Sequence, residues 1–349
     1  MSDHSVNPSQ LKMVLTTCLA KHMPVRVKGA PGVGKSDIVA AAAQALGHEL
    51  LISHPAIEDP TDPKGIPWPD AGGDSAKFLL AGQLAKVMAA DKPTVWFIDD
   101  LGQAAPAVQA PYMQWLLARE CGGHKLPGCV AIVAATNRRA DRAGVQGILE
   151  PVKSRFATIV ELKTSVDDWT NWAIDHELPP ELVAFIRFKP TLLHDFRPTQ
   201  DIENTPCPRT WASVGKLHGL ALPEDVRLQV YAGAVGEGAA MEFLSFVELF
   251  EKAPSVDAIL MNPDDAPIPG EDETSIMYAL SSAIAYRADP KNFGAVARYA
   301  MRVYAEQPEF ATFMLRDAVR RDRAILQTAA FMKLATTELA KSIFEAFGA

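Results

Sequence analysis

Gly29-Ala30-Pro31-Gly32-Val33-Gly34-Lys35-Ser36 follows the spacing G-x-x-x-x-G-K-S, which suits the capture of a phosphate chain. Backbone N–H groups converge on phosphate oxygens only where side chains stay clear, and glycines supply that clearance. Lys35 would carry a positive charge to the β- and γ-phosphates, and Ser36 a hydroxyl to Mg²⁺. A helix beginning there points its positive end at the same anion. Gly29, Pro31, Gly32, Val33, Gly34, Lys35 and Ser36 are therefore the candidate nucleotide-binding residues. By ordinary residue frequencies such a match arises by chance in about one chain in a hundred of this length.

Val95-Trp96-Phe97-Ile98-Asp99-Asp100 is an apolar run that ends in two acids. A strand of this kind delivers carboxylates to the carboxyl edge of a parallel sheet, where ligands bind. Asp99 would hold Mg²⁺, commonly through water, and Asp100 stands where a base for an attacking water belongs. Two acids after a strand also serve as a helix N-cap; the phosphate loop upstream favours the chemical role. Ala134-Ala135-Thr136-Asn137 ends a further apolar run in an amide. Asn137 could position the water or sense the γ-phosphate, although an isolated Asn there is also a common turn former.

The elements that must hold these groups alternate in type. Residues 9–22 read as a helix, from Leu11, Val14, Leu15 and Leu19 at helical spacing. Val25 to Lys28 reads as a strand leading into the glycine turn, and Ser36 to Leu46 as an alanine-rich helix stopped at Gly47. Further strands are expected at Leu50–Ile52, Thr94–Ile98, Val130–Ala134 and Ala157–Leu162, with helices such as Val108 to Arg119 between them. Continuous apolar strands alternating with helices predict an α/β domain around a parallel sheet, residues 1–163. Past Lys163 the pattern is helical, with helices at 167–176, 180–188, 209–219, 224–235 and 238–252. Asn262 to Glu271, rich in Pro and Asp, reads as a linker or exposed loop before a last helical stretch. The expected division is a nucleotide-binding domain at 1–163, a helical lid at 164–252 and a helical extension at 253–349.

Composition narrows the alternatives. The 349 residues are 48% hydrophobic and 22% charged, an ordinary globular balance that excludes whole-chain disorder, collagen and coiled coil. No apolar run approaches the roughly 20 residues needed to span a bilayer. The opening MSDHSVNPSQLKMVL lacks a basic-then-apolar leader pattern, so a cytoplasmic location without membrane insertion is expected. A net charge of −8 opposes non-specific nucleic-acid binding by counterion release. Cys121, His124 and Cys129 match no zinc template, which leaves Cys18, Cys121, Cys129 and Cys207 as reduced thiols.

Taken in order, the phosphate loop, the acidic strand end, Asn137, then Ser154-Arg155-Phe156 and Pro208-Arg209-Thr210-Trp211 resemble the AAA+ ATPases. Within them the chain is similar to the MoxR/AAA-5 branch. Asp59-Pro60-Thr61-Asp62-Pro63-Lys64-Gly65, Val108-Gln109-Ala110 and the turn from Glu120 to Gly128 fit that branch. The resemblance covers about residues 10–235. It implies a parallel-sheet core with a helical lid, a homo-oligomeric ring (usually a hexamer) and ATP with Mg²⁺ bound between subunits. Arg155 then matches the arginine finger, Arg209 the sensor arginine of the lid and Asn137 the first sensor. Arg138, Arg139 and Arg142 compete for contacts between subunits. The segment Gly65 to Phe78 matches an insertion that faces the ring pore, where Trp68 could grip a substrate or simply pin its own loop.

The branch usually carries Glu where this chain has Asp100. Aspartate is shorter by about 1.5 Å, and small misplacements of a base cost ~100-fold in rate. Slow but measurable ATP hydrolysis is therefore expected. By resemblance the activity is chaperone-like remodelling of a partner protein, often one with a von Willebrand A domain. A nucleotide-locked scaffold with little turnover and a DNA-associated ATPase are the alternatives. The acidic charge and the lack of a basic or aromatic binding module weigh against the last, so a nucleic-acid partner is not expected.

Overall fold

The structure is a computed structural model, and it describes residues 5–73, 75–141, 148–197, 203–220, 222–335, 337 and 339. These fall into two compact units, one drawn from Met1–Ser165 and Phe196–Gln200, the other from Val166–Asp195 and Asp201–Ala349. No helix among the described residues is long and apolar enough to cross a membrane.

The first unit carries strands β1 (Ser5–Val6), β2 (Val25–Lys28), β3 (Glu49–Ser53), β4 (Ile66–Pro69), β5 (Ala76–Leu79), β6 (Thr94–Ile98), β7 (Glu120–Cys121), β8 (His124–Lys125), β9 (Val130–Thr136) and β10 (Thr158–Leu162). Its helices are α1 (Pro8–Leu19), α2 (Lys35–Ala45), α3 (Gly82–Met88), α4 (Pro106–Leu117) and α5 (Glu150–Lys153). Six strands form one sheet in the order β1-β10-β2-β9-β6-β3, and every neighbouring pair is parallel. The expected α/β class with a parallel sheet is the one observed.

Both faces of that sheet are covered, which is why its central strands read as unbroken apolar runs. Val25, Val27, Val95, Phe97, Ala131 and Val133 pack on one side with Leu11 and Leu15 of α1 and Val39 of α2. Trp96, Ile98, Ile132 and Ala134 face the other side, against Leu84 and Val87 of α3 and Tyr112 and Trp115 of α4. Trp96 stands edge-on to Trp115 with centroids 5.9 Å apart, an arrangement worth ~0.5–1.5 kcal/mol beyond its buried area. Helix α1 starts two-way capped: Asn7 Oδ1 accepts from Gln10 N at 2.8 Å and Gln10 Oε1 accepts from Asn7 N at 3.0 Å. Helices α1 and α4 both begin earlier than periodicity suggests because Pro8 and Pro106 take the first helical position.

Two small hairpins lie outside the elements that periodicity predicts. Strands β4 and β5 pair antiparallel, as do β7 and β8. Phe78 of β5 joins them: His124 Nε2 donates to its carbonyl at 2.6 Å, and the Lys64 ammonium lies 4.5 Å from its ring centroid. Cys121 is buried nearby, and Cys129 Sγ donates to the Ala90 carbonyl at 3.4 Å.

The second unit is helical: α6 (Val166–Asp175), α7 (Pro180–Phe188), α8 (Pro208–His218), α9 (Glu224–Val235), α10 (Glu237–Glu251), α11 (Val256–Met261), α12 (Thr274–Arg287), α13 (Phe293–Glu306), α14 (Pro308–Arg321) and α15 (Ala329–Leu334). One apolar cluster gathers Trp169, Leu182, Phe185, Trp211, Tyr231 and Phe243. Another gathers Met277, Leu280, Phe293, Tyr299, Phe310 and Met314. Asn262 to Glu271 does not run free as a linker would. Arg302 Nη1 donates to the carbonyls of Pro263 and Ala266, both at 2.8 Å. The Tyr299 hydroxyl donates to Pro267 and Gln307 Nε2 to Pro269, at 2.9 and 2.8 Å.

Candidate functional site

Strand β2 ends at Lys28 and the chain turns through Gly29–Gly34 into α2, as the motif requires. Gly34 sits at φ 91°, ψ 21° as the residue capping α2, a left-handed conformation that a side chain would resist. Lys35, the first residue of α2, is only 7% exposed. Its ammonium donates to Gly29 O at 3.1 Å, Ala30 O at 2.9 Å and Asn137 Oδ1 at 2.7 Å.

The sheet order explains how Asn137 reaches that ammonium. Strand β9 lies between β2 and β6, so the residue leaving β9 emerges between the phosphate loop and the acidic pair leaving β6. Asn137 is 8% exposed, and its Nδ2 donates to Asp100 Oδ1 at 3.1 Å. One amide thus bridges the loop lysine and the candidate base. Its orientation is fixed by chemistry, since an ammonium can only donate and a carboxylate only accept.

Ser36 Oγ donates to Asp99 Oδ2 at 2.8 Å, which brings a hydroxyl and a carboxylate oxygen together. Two hard oxygen donors of this kind would suit Mg²⁺, which would supply positive charge beside a bound phosphate. Asp99 Oδ1 accepts the Asp100 N–H at 3.0 Å, and Asp100 O accepts Gln103 N–H at 2.9 Å. Those bonds hold Asp100 at φ 55°, ψ 31°. Aspartate tolerates this region better than most side chains.

Gly102 belongs to no motif, yet the site depends on it. A Cβ there would lie 2.1 Å from Thr136 Oγ1, so the absence of a side chain lets the acidic turn close against the end of β9. Its only signal in the sequence is a glycine two positions after the acids. Gln109, part of the α4 pattern, also has a structural task that its type alone does not reveal. It is 1% exposed, donates to Ala104 O at 3.0 Å and accepts from Leu149 N at 3.2 Å.

Among the candidates in the first unit, Arg155 and Arg138 are bonded to groups other than Lys35, Ser36, Asp99, Asp100 and Asn137. Arg155 Nη1 donates to Pro151 O at 2.5 Å and to Ser154 Oγ at 2.9 Å, while its buried Nε has no hydrogen-bond partner among the described residues. Arg209 is the second residue of α8 in the other unit and is exposed. Arg138 is engaged within the sheet unit: Nη2 lies 2.8 Å from Asp141 Oδ1 and Nη1 3.7 Å from Glu161 Oε1. Its bonds to Asp141 hold the guanidinium above its ordinary pKa. Arg139 lies in a short turn at 139–141, and Arg142 falls outside the described residues. Trp68 projects from β4 at 56% exposure.

No family model and no curated protein matches the chain. Among solved structures, the RuvB Holliday junction branch migration motor of Thermotoga maritima is similar at 15% identity, over 79% of this chain and 80% of that one, with TM-score 0.39. The K64R mutant of the same RuvB gives 13% identity, 80% and 83% coverage and TM-score 0.40. NtrX from Brucella abortus in complex with ADP gives 12% identity, 97% and 67% coverage and TM-score 0.41.

Proposed function

We propose that this chain is an ATPase of the AAA+ type, nearest in pattern to the MoxR branch, which binds Mg-ATP and hydrolyses it to remodel a partner protein. The observation that supports the reading is the meeting of Lys35, Asn137 and Asp100 through one amide, with Ser36 and Asp99 bonded beside them. No local stretch of sequence brings these five residues together; the order of the strands does.

In this reading the loop amides and Lys35 hold the phosphate chain, and Ser36 and Asp99 supply oxygen ligands to the magnesium ion. Asp100 accepts a proton from the attacking water, with Asn137 fixing the orientation of its carboxylate. ATP and water leave as ADP and phosphate. Arg155 lends its charge to a neighbouring subunit's γ-phosphate in a homo-oligomeric ring, taken as a hexamer, a role worth about 10³–10⁵ in rate in other NTPases. Its unpartnered Nε supports a function beyond the helix it bonds to. Arg209 serves as the lid's nucleotide sensor, Trp68 as a pore-facing grip, and a von Willebrand A-domain protein as the partner. The division into 1–163, 164–252 and 253–349 belongs to the same proposal; the two separate apolar clusters of the helical unit support its second boundary.

Turnover of Mg-ATP by the purified chain tests this. Slow hydrolysis is expected. Lys35→Ala should weaken nucleotide binding by about 10–100-fold, the weight of one or two charge-assisted hydrogen bonds. Asp100→Asn should keep binding within a few-fold and lower turnover at least ~100-fold. Tight binding with no hydrolysis in any assembly state would replace the motor by a nucleotide-locked scaffold.

A further inference from the structure

We infer that Asn137 is a latch on Lys35: its amide oxygen competes with the nucleotide's phosphate for the lysine ammonium, and releasing it reports phosphate binding to Asp100. The inference rests on the nucleotide reading above and adds a regulation to the same site.

A –NH₃⁺ group has three donors. In this structure all three have acceptors: the carbonyls of Gly29 and Ala30 and the Asn137 amide oxygen, at 3.1, 2.9 and 2.7 Å. A phosphate oxygen that takes a hydrogen bond from Lys35 must displace one of them. The shortest of the three is the one to Asn137, and of the three it alone comes from a side chain, which can turn away without unfolding the loop. The two carbonyls belong to the turn that must itself stay in place to cradle the phosphates.

The other end of the same amide donates to Asp100 Oδ1 at 3.1 Å. While Asn137 holds Lys35, its plane is set by the ammonium and the carboxylate together. When the ammonium exchanges to a phosphate oxygen, the carboxylate end is left to fix the amide. The base is thus oriented differently according to whether Lys35 is engaged with phosphate. Asn137 is a positioning residue for the base and a competitor of the ligand, and it is nearly enclosed, so water does little to weaken either bond.

This predicts an unusual split. A residue that only touches the γ-phosphate would have no effect on Mg-ADP, whereas a latch on Lys35 opposes any phosphate that the lysine contacts. Asn137→Ala should bind Mg-ADP roughly tenfold more tightly than the parent chain, because one strong competing acceptor is gone. The same variant should hydrolyse ATP at least ~10-fold more slowly, because Asp100 has lost that amide donor. Binding is read directly by calorimetry with Mg-ADP. Asn137→Ser, whose hydroxyl is too short to reach both partners, serves if the alanine variant fails to fold. In a Lys35→Met background the gain from Asn137→Ala should vanish, since the coupling runs through the ammonium.

Unchanged or weaker Mg-ADP binding by both Asn137 variants overturns the latch and leaves the nucleotide site standing. A gain that persists in the Lys35→Met background also overturns it. Absence of Mg-ADP and Mg-ATP binding by the parent chain overturns the nucleotide reading, and the latch with it.

Discussion

Gly102 shows how tightly single residues decide this site. A methyl carbon added there would come within 2.1 Å of Thr136 Oγ1 and 3.3 Å of its Cβ, so Gly102→Ala forces the Thr136 side chain to turn and pushes the acidic turn and the end of β9 apart. Overpacking of that kind costs about 1–3 kcal/mol. We expect a lowered melting temperature and a fall in turnover larger than the fall in nucleotide binding, because Asp100 is displaced while the phosphate loop is not. Thermal melts and nucleotide titrations of the variant check this. At this scale the glycine turn and the placement of Asp99 and Asn137 just past strand ends are legible, because a glycine run and apolar stretches that stop at a polar residue mark them. The Lys35–Asn137 bond is not legible: the two residues are far apart in the chain, and only the placement of β9 beside β2 joins them. Arg138 reads as a candidate for subunit contacts, yet Asp141 and Glu161 already hold it within its own unit.

Elements with strong periodicity or long apolar runs are readable to within a residue or two. Val25–Lys28, Thr94–Ile98, Pro180–Phe188 and Glu224–Val235 have the bounds that the pattern suggests. The hairpins escape because two-residue strands carry no period, and Pro67 and Pro69 argue against a strand. The pairing survives there because both strands of β4 and β5 are short and exposed. Helices α8 and α9 offer a test at this scale. His218 Nδ1 lies 2.9 Å from the Tyr231 hydroxyl, and its ring stands edge-on to Phe243. Burial lowers the His218 pKa; Arg227 lowers it further, while Glu181 and Glu251 oppose the shift. The folded chain therefore binds this proton less readily than the unfolded one. The stabilising contribution is fully present above the ordinary histidine pKa of about 6.5 and declines as pH falls through and below it. His218→Gln should flatten that decline, seen as a smaller loss of melting temperature between neutral and mildly acidic pH.

On the scale of the whole molecule, the helical unit rests on a buried charge pair. Arg187 of α7 grips Asp317 of α14 through both oxygens, with Nη2 to Oδ1 at 3.1 Å, and each side chain is 4% exposed. The pair ties a helix of one apolar cluster to a helix of the other, and Phe313 lies under the guanidinium at 4.9 Å. Arg187→Ala should cost about 3 kcal/mol, because among the described residues it leaves Asp317 with only the longer contact to Arg316 Nε at 3.6 Å, whereas the double change Arg187→Met with Asp317→Leu should cost less. Denaturant unfolding of the two variants separates a burial penalty from a loss of packing. The helical class of this unit is evident in the sequence, but the pair is not, because Arg316-Asp317 and the following arginines look like a solvated face. Asn262–Glu271 is the loop that its prolines and acids suggest, with Asp264 and Asp265 exposed, but bonds from α13 and Gln307 hold its carbonyls and pin it as no linker would be. The threading of β9 between β2 and β6 has a consequence for biosynthesis. As the chain leaves the ribosome, the lysine and the acids exist well before the strand that must separate them. A nascent chain stopped short of Val130 contains every charged member of the cluster and lacks the strand that joins β2 to β6, so the site can form only once β9 has emerged.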